Sequence, residues 1–241
     1  MKRRFNPVLF LYQWLIFMPL FVVATILTAL FTMLFAALFG DREITYFPAR
    51  MWSRFACYGM FITVHVEGAG NISKEESYIF AANHQSMYDI FLVYGWLDSR
   101  FKWIMKKELR KIPFVGVACE AAGHIFIDRT SPMSAKKSID DASRKLVNGS
   151  SVVIFPEGTR SKDGKLGKFK RGAFLLASEI KLPIVPVTIK GTFKALPIWS
   201  YLIHPAKLTL LIHKPIPYEP VFDQDQQLLI ERVRTEVEKG I

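Results

Sequence analysis

Cysteine is scarce, and the shortage removes several classes of protein at once. Cys57 and Cys119 are the only two among 241 residues. No disulfide framework can be built from them, and neither a Cys-x-x-Cys pair nor a Cys/His cluster with metal-ligand spacing occurs. A reducing setting suits the folded part of such a chain. No Gly-x-Ser-x-Gly elbow is present, which argues against a serine hydrolase. No internal repeat, low-complexity tract or flexible linker divides the chain, and its length fits one α/β domain with a well-filled core.

Charge is also missing, but only locally. The 36 residues from Phe5 to Gly40 contain no Asp, Glu, Lys or Arg, directly after the basic Lys2-Arg3-Arg4. That run is too long for a signal-peptide core and lacks a convincing cleavage site, so it is expected to be a retained membrane segment. A straight helix over about 32 residues would be roughly 48 Å long against a hydrocarbon core near 30 Å, so it must tilt, kink or end early. Pro19 offers the kink or break. From Phe47 to Ile62, Met51, Phe55, Tyr58 and Ile62 share one helical stripe while Arg50 and Arg54 share another, a pattern suited to a membrane interface and equally to a core helix. Residues 1–62 therefore read as a membrane-associated helical segment ahead of an α/β domain over 63–241.

That domain is announced by short β-rich runs alternating with helical patterns. Strands are predicted at Thr63–Glu67, Tyr78–Ala82, Phe101–Met105, Ile125–Asp128, Val152–Phe155, Ile184–Ile189 and Leu208–His213. Helices are predicted near Met87–Trp96, Pro132–Val147, Gly172–Ile180 and Gln224–Lys239. Such alternation implies a mostly parallel sheet covered by helices. The chain carries a net charge of +11, which fits nucleic acid, an anionic membrane surface or an acidic substrate.

One stretch carries candidate chemistry: Asn83-His84-Gln85-Ser86-Met87-Tyr88-Asp89, at the C-terminal end of the second strand, where ligand sites of α/β sheets collect. A histidine works as a general base near neutral pH, and a carboxylate fixes its tautomer and stabilises the imidazolium. Five steps of about 100° would put His84 and Asp89 some 140° apart within one helix. The histidine must therefore occupy the turn before the helix, as the capping-box-like Ser86-x-x-Asp89 suggests. Asp89 could equally be only a favourable acid in a first helical turn; both readings stay open at this point.

A second strand end leads into Pro156-Glu157-Gly158-Thr159-Arg160-Ser161. Gly158 permits a tight turn with exposed N–H groups, two hydroxyls add donors, and Arg160 can grip an oxyanion with two parallel bonds. This is phosphate-binding chemistry. Lys162, Lys165, Lys168, Lys170 and Arg171 follow; as a run they read more naturally as a solvated basic loop. Lys106 and Arg129, at two further strand ends, could converge with Arg160, although Asp128-Arg129 could also be a local ion pair. His65, His124, His204 and His213 have no motif partners and read as structural.

Together, NHQSMYD (83–89), GHIFIDR (123–129), FPEGTRS (155–161) and PIVPVTI (183–189) resemble the four ordered blocks of the glycerolipid acyltransferase family, with the strongest likeness to its 1-acyl-sn-glycerol-3-phosphate acyltransferases. The resemblance implies an enzyme in which His84, of a His-x4-Asp motif, is the general base and Asp89 its partner. Lys106, Arg129, Glu157, Gly158, Thr159 and Arg160 would bind substrate, and Val185-Pro186-Val187 would help shape the acyl-donor or acyl-chain site. It implies no metal and no cofactor beyond the co-substrate, an acyl-CoA or acyl carrier protein thioester. The acceptor would be lysophosphatidate and the product phosphatidate, at a membrane, with the catalytic domain on the cytoplasmic face and no nucleic-acid partner. Another lysolipid acceptor is the first alternative. A non-catalytic, membrane-attached anion-binding protein is the second, although it leaves the four ordered motifs unexplained. Lys2-Arg3-Arg4 favours a cytoplasmic N-terminus, so a chain that enters the membrane, turns and returns without crossing keeps the site beside its thioester.

Overall fold

The computed structural model describes residues 6–128, 133 and 150–241; Arg129 and all but Met133 of the stretch 132–147 lie outside them. All seven expected strands form, each within a residue or two of its predicted bounds: β1 Thr63–Glu67, β2 Ile79–Ala82, β3 Phe101–Lys106, β4 Ile125–Ile127, β5 Ser151–Ile154, β6 Ile184–Lys190 and β7 Lys207–Ile212. They make one sheet in the order β1-β7-β6-β2-β5-β3-β4. Every pairing is parallel except β6 with β7. The central β2 is buried on both faces, as a covered parallel strand should be.

Side chains alternate between two cores. Phe80, Val153, Val185 and Val187 join one, and Ile79, Ala81, Val152 and Ile184 join the other. The second core is closed by Arg171–Ile180 and Gln226–Lys239 through Phe174, Leu229 and Val233. The first is closed by Tyr88–Trp96 and by the N-terminal segment.

That segment forms a helical hairpin. Helix α1 runs from Pro7 to Phe39, and after Gly40-Asp41-Arg42 helix α2 (Glu43–Tyr58) returns beside it. Phe17 stacks on Phe55, Phe21 on Trp52, and the Tyr12 hydroxyl donates to the Gly59 carbonyl. Of the kink or break offered by Pro19, the break does not occur: α1 continues to Phe39. A π-helical turn over Gln13–Phe17, with the Met18 N–H reaching the Gln13 carbonyl, lies directly ahead of it. The widened turn accommodates a ring that cannot donate and would crowd a regular helix.

Packing does not part at residue 62. Phe17, Ala56, Cys57, Met60 and Ile62 are buried in the same core as β2 and β6. The predicted stripe on α2 divides: Met51 and Tyr58 are exposed, Phe55 packs against the core and Ile62 is buried in it. Arg50 and Arg54 do not face outward for a head-group layer. Arg50 pairs with Asp98 at 3.6 Å, and Arg54 donates to the Gly95 carbonyl at 3.0 Å over the Trp96 ring. Both serve the C-terminal end of Tyr88–Trp96, where cations and donors complement unpaired carbonyls.

Two polar fastenings hold the hairpin at its ends. Gln13, 1% exposed within the apolar run, donates to the Tyr201 carbonyl (2.7 Å) and accepts from the Ile203 N–H (2.8 Å). At the turn, Asp41 accepts from Lys102 (2.7 Å), Tyr46 (2.8 Å) and Ser150 (3.1 Å). Between them the outer face of α1 remains apolar and open, with Leu20, Val23, Leu27, Leu30, Leu34 and Leu38 all exposed. Gln13→Ala should strand the two backbone groups at a cost of about 1–3 kcal/mol, seen as a melting point several degrees lower in detergent. An unchanged melting point would mean that the clamp does not hold α1.

Candidate active site

The His84 backbone is fixed from three directions as it leaves β2. Its N–H donates to Glu157 Oε1 (2.7 Å), its carbonyl accepts from the Ser161 N–H (2.8 Å), and its ring stacks on Phe155 with centroids 3.9 Å apart. Asn83 just before it bonds both the N–H and the carbonyl of Ile189, tying the turn to β6. His84 stands outside the helix, which begins at Tyr88. Its Nδ1 lies 2.7 Å from Asp89 Oδ2. A carboxylate oxygen only accepts, so Nδ1 carries the proton and the Nε2 lone pair is left free.

The same Oδ2 accepts the N–H groups of Gln85 (2.6 Å) and Ser86 (2.8 Å). The two readings left open by the sequence are thus one arrangement: Asp89 is the first-turn acid that reaches back to the entering backbone, and it is also the partner of His84. The Ser86 hydroxyl accepts from the Tyr88 N–H and donates to the Leu196 carbonyl. Asp89 is fully buried, whereas the His84 side chain retains 15% exposure.

His84 opens into a cavity of about 690 Å³, within the roughly 300–1,000 Å³ of ordinary ligand sites. Lys106, Gly158, Thr159 and Arg160 line it, as does Lys170. Among the described residues no carboxylate pairs with Lys106, Arg160 or Lys170, so three uncompensated cations stand near His84. The remaining wall is mostly apolar and is shared between the sheet side (Met105, Ile90, Ala118) and the hairpin (Thr25, Ala29, Trp52). Deep in it, His124 accepts the Trp103 N–H at Nδ1 and meets the Tyr94 hydroxyl through Nε2. Burial pushes its pKa down to about 3, so it stays neutral.

Not every expected residue reaches the cavity. Glu157 is 4% exposed and does not line it. Its carboxylate bridges two backbone amides, His84 through Oε1 and Gly167 through Oε2, each at 2.7 Å. Burial raises its pKa against the pull of those amides. Val185-Pro186-Val187 lies along β2 within the sheet and does not line the cavity. Arg129 is outside the described residues, and its neighbour Asp128 accepts from Lys107 at 3.0 Å.

Two contributors escaped the sequence reading. Lys170 is exposed, as expected of the basic run, yet it lines the cavity, with its Nζ over Gly158, 3.2 Å from where a Cβ would stand. The hairpin wall was legible in principle, because Thr25, Thr28 and Thr32 share one face of an otherwise apolar helix, and that face borders the cavity.

Comparison with known proteins agrees with this architecture. A model of the acyltransferase family matches residues 63–190. The chloroplastic 1-acyl-sn-glycerol-3-phosphate acyltransferase LPAT1 of Arabidopsis thaliana is 36% identical over 73% of this chain and 49% of its own length. The human 1-acyl-sn-glycerol-3-phosphate acyltransferase alpha is 33% identical over 72% of this chain and 62% of its own. The chain thus spans about half to two-thirds of the curated relatives it matches. The crystal structure of the 1-acyl-sn-glycerophosphate (LPA) acyltransferase PlsC from Thermotoga maritima superposes with a TM-score of 0.80 at 32% identity, covering 98% of this chain and 94% of that one. With a family match over more than half its residues and a shared fold along almost its whole length, the chain belongs to the acyltransferase family.

Proposed function

We propose that the chain transfers a fatty acyl group from an acyl thioester, acyl-CoA or acyl carrier protein, to the sn-2 hydroxyl of 1-acyl-glycerol-3-phosphate, giving phosphatidate and a free thiol. The observation that carries this reading is the position of the His84–Asp89 pair where a cationic mouth meets an apolar cavity. The names borne by the relatives support the same acceptor. His84 Nε2 takes the hydroxyl proton, the acceptor oxygen attacks the thioester carbonyl, and the C–S bond breaks as the thiolate takes the proton from the imidazolium. Asp89 holds Nδ1–H and balances the transient charge. No covalent enzyme intermediate is required.

Arg160, Lys106 and Lys170 would hold the phosphate of the acceptor, with Gly158 and Thr159 completing the turn. Arg129 belongs to the same proposal through its motif. Three cations without carboxylate partners among the described residues favour a bare phosphate monoester over a lysolipid with a larger head group. Glu157 supports binding indirectly, by strapping the His84 turn to the loop that carries Lys170. The apolar cavity suits an acyl chain.

The exposed face of α1 and the exposed Ile44, Phe47 and Met51 of α2 suit burial in one leaflet. A helix of 33 residues is roughly 50 Å long, yet both of its ends are fastened to the folded domain. This supports a hairpin lying along the bilayer with the site on the cytoplasmic side. A cysteine at Lys2, in a chain lacking Cys57 and Cys119, should then resist an impermeant thiol reagent until cells are permeabilised. Labelling of intact cells would sink this topology.

His84→Ala should lower turnover by about 10²–10⁴-fold or more while the melting point holds, and Asp89→Asn should fall between it and wild type. Near wild-type thiol release from acyl-CoA with lysophosphatidate present would refute the chemistry. Arg160→Lys should raise the acceptor KM at unchanged charge, because a point charge cannot reproduce two parallel guanidinium bonds. Glu157→Gln should instead lower kcat and the melting point together, since the amide can accept from one of the two N–H groups and turns a donor toward the other. A rise in acceptor KM alone for Glu157→Gln would place that side chain on the substrate.

A further inference from the structure

The loop between the short turn Thr192–Ala195 and β7 has no part in the chemistry above, yet it presents two of the most exposed aromatic side chains among the described residues. Trp199 is 68% exposed and Tyr201 85%. The display is not a loose end. The Ser200 N–H donates to the Pro197 carbonyl, the Ser200 hydroxyl exchanges bonds with Leu202, and Ile203 is buried. A stiff turn therefore holds the two rings outward.

Its surroundings identify what they face. Gln13 bonds this loop on both sides of Leu202, so the rings emerge beside the apolar helix α1. Trp14 and Phe61, also exposed, lie on the same end of the hairpin, with Phe61 against Tyr12 at 5.4 Å. Ile198 from the loop lines the cavity, and the Ser86 hydroxyl bonds the Leu196 carbonyl at 2.7 Å. Lys194 and Lys207, both exposed, flank the loop, and no Asp or Glu lies between them in the chain. Trp and Tyr favour the head-group layer, where an apolar ring and a polar tip are both satisfied, and lysines favour anionic lipid.

We propose that Leu196–Ile203 is a second membrane-contacting element, which seats Trp199 and Tyr201 in the head-group layer of an anionic bilayer beside the cavity mouth. The proposal rests on the membrane reading of the hairpin and extends it. A surface separated from α1 by most of the chain reaches the same leaflet, and the hydrogen bond from Ser86 links that contact to the turn carrying His84.

The test uses the full chain with vesicles of phosphatidylcholine and phosphatidylglycerol, the lipids brominated on their acyl chains to quench nearby indoles. Wild type should lose tryptophan emission on binding, and Trp199→Phe should lose measurably less. The double variant Trp199→Ser/Tyr201→Ser should partition roughly tenfold more weakly, as expected when two amphipathic rings leave the interface. Equal quenching of wild type and Trp199→Phe, with unchanged partitioning of the double variant, overturns the proposal. Wild type that fails to bind vesicles at all would overturn the membrane reading itself. Trp199→Phe keeps a ring in place, so the quenching comparison stands even if the double variant folds poorly.

Discussion

One carboxylate oxygen has three donors. Asp89 Oδ2 receives the N–H groups of Gln85 and Ser86 and the ring N–H of His84, all within 2.8 Å. The two amides belong to the buried turn ahead of the helix and would need an acceptor in any case. By meeting them with a buried acid, the fold obtains a fixed anion beside the histidine, with charge-assisted bonds stronger than neutral ones. The ring orientation, the free Nε2 and the direction of the turn all follow from that shared atom. Asp89 Oδ1 has no partner among the described residues, so the hydrogen bonding concentrates on one oxygen.

Around this centre the four motif blocks divide the labour differently from their sequence appearance. Arg160, Gly158 and Thr159 reach the cavity, while Glu157 in the same block points the other way and is consumed by backbone. The fourth block enters only through Ile189, whose N–H and carbonyl hold Asn83. A motif read along the chain records residue types at fixed spacing. Which face of a tight turn each side chain takes is decided by burial.

The strands were legible because their burial follows a simple rule: apolar runs of suitable length, closed by Gly, Pro or charge. For His84 and Asp89 the residues alone said only that a pair would require a turn between them, because five helical steps cannot bring two side chains together; the pairing itself was what the family resemblance implied. Lys170 was not, because an exposed lysine in a basic run looks the same whether it faces open solvent or the mouth of a cavity beside Gly158. The orientation of Arg50 and Arg54 was hidden for a related reason. A cationic stripe on an amphipathic helix does not say whether it meets head groups or the carbonyls ending a neighbouring helix. Pro19 left a kink and a break both open, and the π turn ahead of it lets the helix continue where a break was one outcome.

The wall from Thr25 to Trp52 belongs at once to the hairpin with the exposed apolar face and to the chamber behind His84. An enzyme whose anchor was merely a tether could be trimmed to a water-soluble core and keep its pocket. Here, removing residues 1–62 would take away one side of the chamber and uncover the core around Phe80 and Val187. Shedding the exposed apolar face and keeping the chamber closed are therefore opposed in this chain. A handier truncated version for the laboratory would have to rebuild that wall from elsewhere.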